Sequence, residues 1–191
     1  MILYDIFKPL IWLYFHAVYR IKVKGIENIP ESSGAIICPN HIALGDPILV
    51  AISAPRKIRF MAKAELFKIP FIRFFLKHWG VYPVKRGEAD IGAIKNTFKI
   101  LKNDGLVGLF PEGTRSRTGK LGTASPGVAM FSIKSGKPVI PVLIQGKYSI
   151  FSKLNIIFGQ PFYFNIKKGK LTNDDYKELS QTVMKKISEL K

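Results

Sequence analysis

Short apolar runs that end in polar turns, separated by stretches with helical spacing, constrain this chain more than any other feature. Gly34-Ala35-Ile36-Ile37-Cys38-Pro39 reads as a short buried strand entering a polar loop at His41. Leu106-Val107-Gly108-Leu109-Phe110 delivers a second polar loop at Glu112, and Lys137 to Ile144 reads as a third strand. Further strands are expected at Ile21 to Gly25, around Ile58 to Met61, at Val81 to Val84 and at Lys153 to Phe158. A helix should open at Asp46-Pro47, with Asp at the N-cap and Pro in the first helical position. Other helical patterns run over residues 88–103, Ser125 to Ser135 and Asn173 to Leu190, and residues 63–79 read as a hydrophobic helix or helical hairpin. Such alternation implies an α/β fold: one domain, its central mixed and mostly parallel sheet flanked by helices. A chain of 191 residues is long enough to bury that core.

Charge limits the partners. Thirty Lys and Arg against thirteen Asp and Glu give a net charge of +17. Nucleic acid, an anionic membrane surface, or an acidic protein with phosphorylated substrates would each explain the excess. No helix-turn-helix, zinc-finger spacing or aromatic RNA-binding signature accompanies it, so no specific nucleic acid is expected. The basic residues alternate with long apolar stretches, which favours an anionic phospholipid membrane. Leu10 to Tyr19 is nearly unbroken apolar sequence, too short to span a bilayer that needs about 20 such residues. Trp12, Tyr14, His16, Tyr19 and Arg20 suit a helix lying in the interface, so residues 1–20 are expected to be an amphipathic membrane-associating segment; a core-packing helix is the alternative. Residues 63–79 pose the same choice, with Lys63, Lys68, Arg73 and Lys77 among their aromatics. The single cysteine, Cys38, excludes an intrachain disulfide and sits in an apolar run where a small buried residue belongs.

The polar loops carry the chemistry. A neutral imidazole takes a proton from an alcohol when its other nitrogen donates to a carboxylate that fixes tautomer and orientation. His41 and Asp46 are five residues apart, poorly aligned for one regular helix, but Gly45 would permit a sharp turn that folds the carboxylate back. An Asp before Pro is also a common helix cap, which is the competing reading. Pro111 to Ser116 follows a buried strand, in the crevice where α/β proteins hold ligands. Gly113 would let backbone come close, Thr114 and Ser116 bring hydroxyls, and Arg115 and Arg117 bring forked donors that match a phosphate. Glu112 would bind a substrate hydroxyl or hold Arg115; a solvated turn is the alternative. Lys85-Arg86-Gly87 would add cations at another strand end. No G-x-S-x-G elbow is present, so the nucleophile is expected to be the substrate's own hydroxyl, and the reaction acyl transfer onto an alcohol. His16 and His78 sit among aromatics and read as structural, and no metal site is expected.

The order His41-x4-Asp46, then Gly80 to Arg86, then Phe110 to Ser116, then Val139 to Val142 resembles the four blocks of the glycerolipid acyltransferase family. Within it, the pattern resembles bacterial 1-acylglycerol-3-phosphate acyltransferases, which make phosphatidic acid, over roughly residues 22–160. The resemblance implies an acyltransferase domain over residues 21–191, with His41 as general base and Asp46 as its orienting partner. It implies that Lys85, Arg86 and the loop Glu112, Gly113, Thr114, Arg115, Ser116 hold the acceptor's glycerol phosphate, and that Val139 to Val142 support the acyl-donor site or the core. The expected substrates are lysophosphatidic acid and an acyl thioester of coenzyme A or acyl carrier protein, with no tightly bound cofactor. The expected location is the cytoplasmic face of the cell membrane, peripheral or monotopic. Glycerol 3-phosphate or another lysophospholipid is the alternative acceptor. A non-enzymatic basic protein that docks on membranes or nucleic acid would leave the four-block order unexplained.

Overall fold

The computed structural model describes residues 2–85, 90–116, 121–166 and 171–190. Among the described residues seven strands form one sheet: β1 Arg20–Lys24, β2 Ala35–Pro39, β3 Ile58–Lys63, β4 Tyr82–Val84, β5 Leu106–Gly108, β6 Val139–Gly146 and β7 Lys153–Phe158. Their spatial order is β1-β7-β6-β2-β5-β3-β4. Only β6 and β7 pair antiparallel; the other five pairings are parallel. The helices are α1 Ile2–Val18, α2 Asp46–Ser53, α3 Pro70–His78, α4 Ile91–Lys102, α5 Gly127–Ser135 and α6 Asn173–Ser188, with 3-10 turns at Ile26–Asn28 and Ala64–Lys68. The protein is thus a single α/β domain with a mixed, mostly parallel sheet and flanking helices.

Why β2 lies in the middle follows from its side chains. All five of its residues are buried, as a strand covered on both faces requires. Ala35 and Ile37 enter the core under α1 and α2, with Leu49, Phe15 and Ile140. Ile36 and Cys38 enter the opposite core, with Ile100 of α4, Val128 of α5 and Val183 of α6. Burial pushes the Cys38 thiol far up, so it stays protonated in that core. β1, at the sheet edge, instead alternates between exposed and half-buried residues.

Capping fixes where the helices start. The Asp90 carboxylate accepts the Ala93 N–H at 3.0 Å ahead of α4. Thr172 and Asp175 form a reciprocal capping box on α6. The expected 63–79 segment is interrupted at Ile69–Pro70, because Pro supplies no N–H and starts a new helix instead of continuing the 3-10 turn.

The two readings of the N-terminal segment meet in α1. One face packs: Tyr4 and Phe15 are buried, and Phe7 and Tyr4 make edge contacts with Phe75 and Trp79 of the α3 region. The other face exposes Leu10, Trp12, Leu13 and Tyr14, with Phe71 and Phe74 exposed on α3. Among the described residues no helix is long and apolar enough to cross a membrane.

Candidate functional site

β5, β2 and β6 are adjacent and parallel, so the loops leaving their C-terminal ends share one edge of the sheet. The β2 loop brings His41, the β5 loop brings Glu112 to Ser116, and the β6 loop brings Tyr148.

His41 Nδ1 donates to Asp46 Oδ2 at 2.8 Å. The Asp46 side chain is fully buried and that of His41 is 12% exposed. The same Oδ2 accepts the N–H groups of Ile42 and Ala43 at 2.6 and 2.7 Å. Asp46 is therefore the first residue of α2 and not its N-cap; Gly45 holds the cap position with an ordinary φ of −75°. Its carboxylate turns away from the helix to tie the loop before it. Gly45 is required for space: a methyl there would come 2.9 Å from the Tyr148 ring. The His41 ring stacks on Phe110, centroids 3.9 Å apart, and no described residue bonds its Nε2.

Glu112 divides its carboxylate between two backbone groups. Oε1 accepts the His41 N–H at 3.1 Å and Oε2 the Gly122 N–H at 3.0 Å. It thereby braces the two loops against each other, and no ion pair joins it to Arg115. Ser116 N–H adds a bond to the His41 carbonyl at 2.8 Å. Gly113 occupies the left-handed region at φ 69°, and its N–H closes the turn onto Phe110 at 3.0 Å.

A cavity of about 1150 Å³ opens beside the imidazole. Leu44, Ile48, Ala51, Ile58, Phe60 and Trp79 are among its apolar lining. Lys63, Lys85, Gly113, Thr114 and Arg115 also line it, so cations share a cavity with an apolar wall and the imidazole. Arg115, Ser116 and Glu112 line a smaller adjoining recess of about 320 Å³ as well. Arg86, Gly87 and Arg117 lie outside the described residues. Val139, Ile140 and Val142 are fully buried in the sheet and take no part in the cavity wall. His16 and His78 donate to the carbonyls of Trp12 and Phe74 four residues back, away from this edge. Among the described residues no group of three His, Cys, Asp or Glu is placed to hold a metal.

Two residues joined to this arrangement were given no role by sequence reasoning. Asn40 is buried and spans β2 and β6: its Nδ2 donates to the Ile144 carbonyl at 3.0 Å and its Oδ1 accepts the Ile144 N–H at 2.7 Å. Tyr148 donates its hydroxyl to Asp46 Oδ1 at 2.7 Å. Asn40 precedes His41 directly, which is a usable signal; Tyr148 carries none.

A family model described as acyltransferase matches residues 20–145. The 1-acyl-sn-glycerol-3-phosphate acyltransferase of Borreliella burgdorferi is 35% identical over 154 residues, 78% of this chain and 58% of the relative. That of Bacillus subtilis is 34% identical over 149 residues, 75% of this chain and 74% of the relative. The chloroplastic enzyme of Arabidopsis thaliana is 34% identical, and the matched region is 36% of its length. The chain therefore covers between about a third and three quarters of these relatives. The crystal structure of the 1-acyl-sn-glycerophosphate acyltransferase PlsC from Thermotoga maritima superposes with a TM-score of 0.68 at 28% identity, covering 89% of this chain and 71% of that one. Fold, loop chemistry and these matches agree that the chain belongs to the acyltransferase family.

Proposed function

We propose that this protein transfers a fatty acyl group from an acyl thioester to the sn-2 hydroxyl of 1-acylglycerol 3-phosphate, forming phosphatidic acid for phospholipid biosynthesis. The observation that carries the reading is the His41–Asp46 pair at 2.8 Å beside a large, mainly apolar cavity with cations in its wall. The names of the relatives support the choice of acceptor.

His41 Nε2 removes the proton of the sn-2 hydroxyl as that oxygen attacks the thioester carbonyl. The tetrahedral intermediate collapses, the C–S bond breaks, and the thiolate takes the proton back from the imidazolium. Asp46 holds the imidazole in the tautomer that leaves Nε2 free and stabilises the imidazolium when it forms. Lys85, Arg86, Thr114, Arg115 and Ser116 bind the phosphate, and Glu112 and Gly113 shape the loop that presents them. Fixing the phosphate fixes the hydroxyl against the base, so part of the rate comes from proximity. The chemistry calls for no tightly bound cofactor, and the thioester is carried by coenzyme A or acyl carrier protein. Residues 1–20 rest the domain, residues 21–191, on the cytoplasmic face of an anionic membrane, which supplies the lysolipid and takes up the product.

The test is phosphatidic acid formation from oleoyl-lysophosphatidate by purified protein on liposomes, with both thioester carriers side by side. His41→Ala should lose at least about a hundredfold in rate, the scale of general-base catalysis. Faster turnover of glycerol 3-phosphate would reassign the acceptor, and no product with any acceptor would end the enzymatic reading.

A further inference from the structure

Asp46 is fully buried, and its two oxygens are loaded unequally. Oδ2 accepts three donors: His41 Nδ1 and the N–H groups of Ile42 and Ala43. For Oδ1, the one donor among the described residues is the Tyr148 hydroxyl at 2.7 Å. A carboxylate held at one oxygen only can still swing about its Cβ–Cγ bond; a bond at the other oxygen removes that freedom. The oxygen that Tyr148 satisfies is also one that burial would otherwise leave without a partner, a costly arrangement for a charged group.

The tyrosine is itself held in place. Its ring lies against the backbone of Gly45, the residue preceding Asp46, at a distance that excludes any larger side chain there. On another side Tyr19 meets it edge-on, centroids 5.6 Å apart and planes at 78°. The loop that bears it is pinned to the junction of α1 and β1: Phe151 N–H donates to the Val18 carbonyl at 2.7 Å and Arg20 N–H to the Ser152 carbonyl at 2.9 Å. Burial, and then the charge of Asp46, push the Tyr148 hydroxyl well above its ordinary range, so it remains a donor at any working pH.

We propose that Tyr148 is a positioning residue of the His41–Asp46 pair, anchoring Asp46 Oδ1 so that Oδ2 stays aimed at the imidazole. It touches no reacting atom and acts through Asp46. The assignment rests on His41 being the base of the acyl transfer. Its electrostatic consequence does not: a donor on Oδ1 drains charge from the carboxylate, and removing it leaves more charge to stabilise the His41 imidazolium. Among the described residues, the other titratable groups near the pair include Tyr19 behind Tyr148, Glu112 on the His41 N–H, and Lys63, Lys85, Asp90 and Arg115 in the cavity wall, and none of them changes in the test.

Tyr148→Phe keeps the ring and removes the donor. In steady-state assays with acyl thioester and lysophosphatidate, kcat should fall about tenfold or more, as expected for one hydrogen bond to a charged group, with both KM values within about twofold of wild type. In ligand-free protein, the His41 ring titration followed by nitrogen-15 NMR should move up by roughly half a unit to one unit, while those of His16 and His78 stay in place. In an Asp46→Asn background, adding Tyr148→Phe should cost less than about twofold further in kcat. Replacing Tyr148 by 3-fluorotyrosine, isosteric and a stronger donor, should move the His41 titration down, which keeps the test open where the Phe variant folds poorly. An unmoved His41 titration in these variants overturns the proposal, as does a Tyr148→Phe loss that persists in full without the Asp46 carboxylate. Absence of acyl transfer in wild type would sink the functional reading instead, and the titration would then judge Tyr148 by itself.

Discussion

His41 depends on neighbours whose covalent distance hides them. The residue before it, Asn40, satisfies both the N–H and the C=O of Ile144, 104 residues away. Asn40→Ala leaves those two buried groups unpaired, and the expected destabilisation is about 2–4 kcal/mol, read from the urea midpoint at constant m-value. Because the bonds join β2 to β6 at the root of the loop, the same variant should lose activity beyond its loss of folded protein. Arg115 is different: it is exposed on the cavity wall and makes no ion pair with a described residue, so Arg115→Ala should leave stability unchanged within about 0.5 kcal/mol. What it should raise is the KM for lysophosphatidate, by roughly tenfold; a change confined to the thioester KM would take Arg115 out of the proposed phosphate site. Sequence reasoning reached His41, Asp46 and the Glu112 loop because each is a local pattern at the end of an apolar run. Asn40, Tyr148 and the bracing role of Glu112 were beyond it, because their partners are 104, 102 and 71 residues away. Such pairings exist only once the strand order is known.

At the level of elements, apolar runs bounded by Gly, Pro and Asp marked most strands and helices, since those residues punctuate the backbone by their own geometry, but α1 runs through Pro9 and the 63–79 segment breaks at Pro70. What periodicity could not decide was whether α1 packs inward or faces outward. Its apolar residues run all the way round, and the tertiary structure divides them into a packed face and an open one. The open face and α3 together present Leu13, 61% exposed, and Phe71, 73% exposed. A paired Leu13→Asp and Phe71→Asp variant should keep the wild-type melting temperature, because neither side chain is in the core. Its recovery on anionic liposomes in flotation should drop at least about tenfold, given ~1.5–3 kcal/mol for each large apolar side chain withdrawn from the bilayer. Undiminished flotation would assign the exposed ridge to some other partner.

Over the whole molecule, three carboxylates at or near the surface hold helix starts and turns. Asp90 is held below the ordinary 3.8 by the backbone N–H groups of Lys85 and Ala93, Asp104 by the Lys137 ammonium and the Gly34 N–H, and Asp175 by the backbone and hydroxyl of Thr172. A folded-state value below the unfolded one adds stability that is present above the unfolded pKa and is lost as pH falls through the folded value. Thermal melts should therefore be nearly flat from pH 7 to 5 and fall below about pH 4. Replacing Asp90, Asp104 and Asp175 by Asn should lower the neutral-pH melting temperature and shrink that acid-side drop; an unaltered acid profile would mean the carboxylates contribute nothing. The net charge of +17 steepens the fall further, since every protonated carboxylate adds to the repulsion. The order of the strands has a consequence in time. Among the described residues β1 pairs with β7 and with no other strand, Arg20 lying opposite Lys153. A ribosome adding 5–20 residues per second needs roughly 7 to 27 s to pass from one to the other. For that interval the nascent N-terminal strand has no edge to join, although Phe75 and Trp79, on which the helix ahead of it packs, are made well before β7.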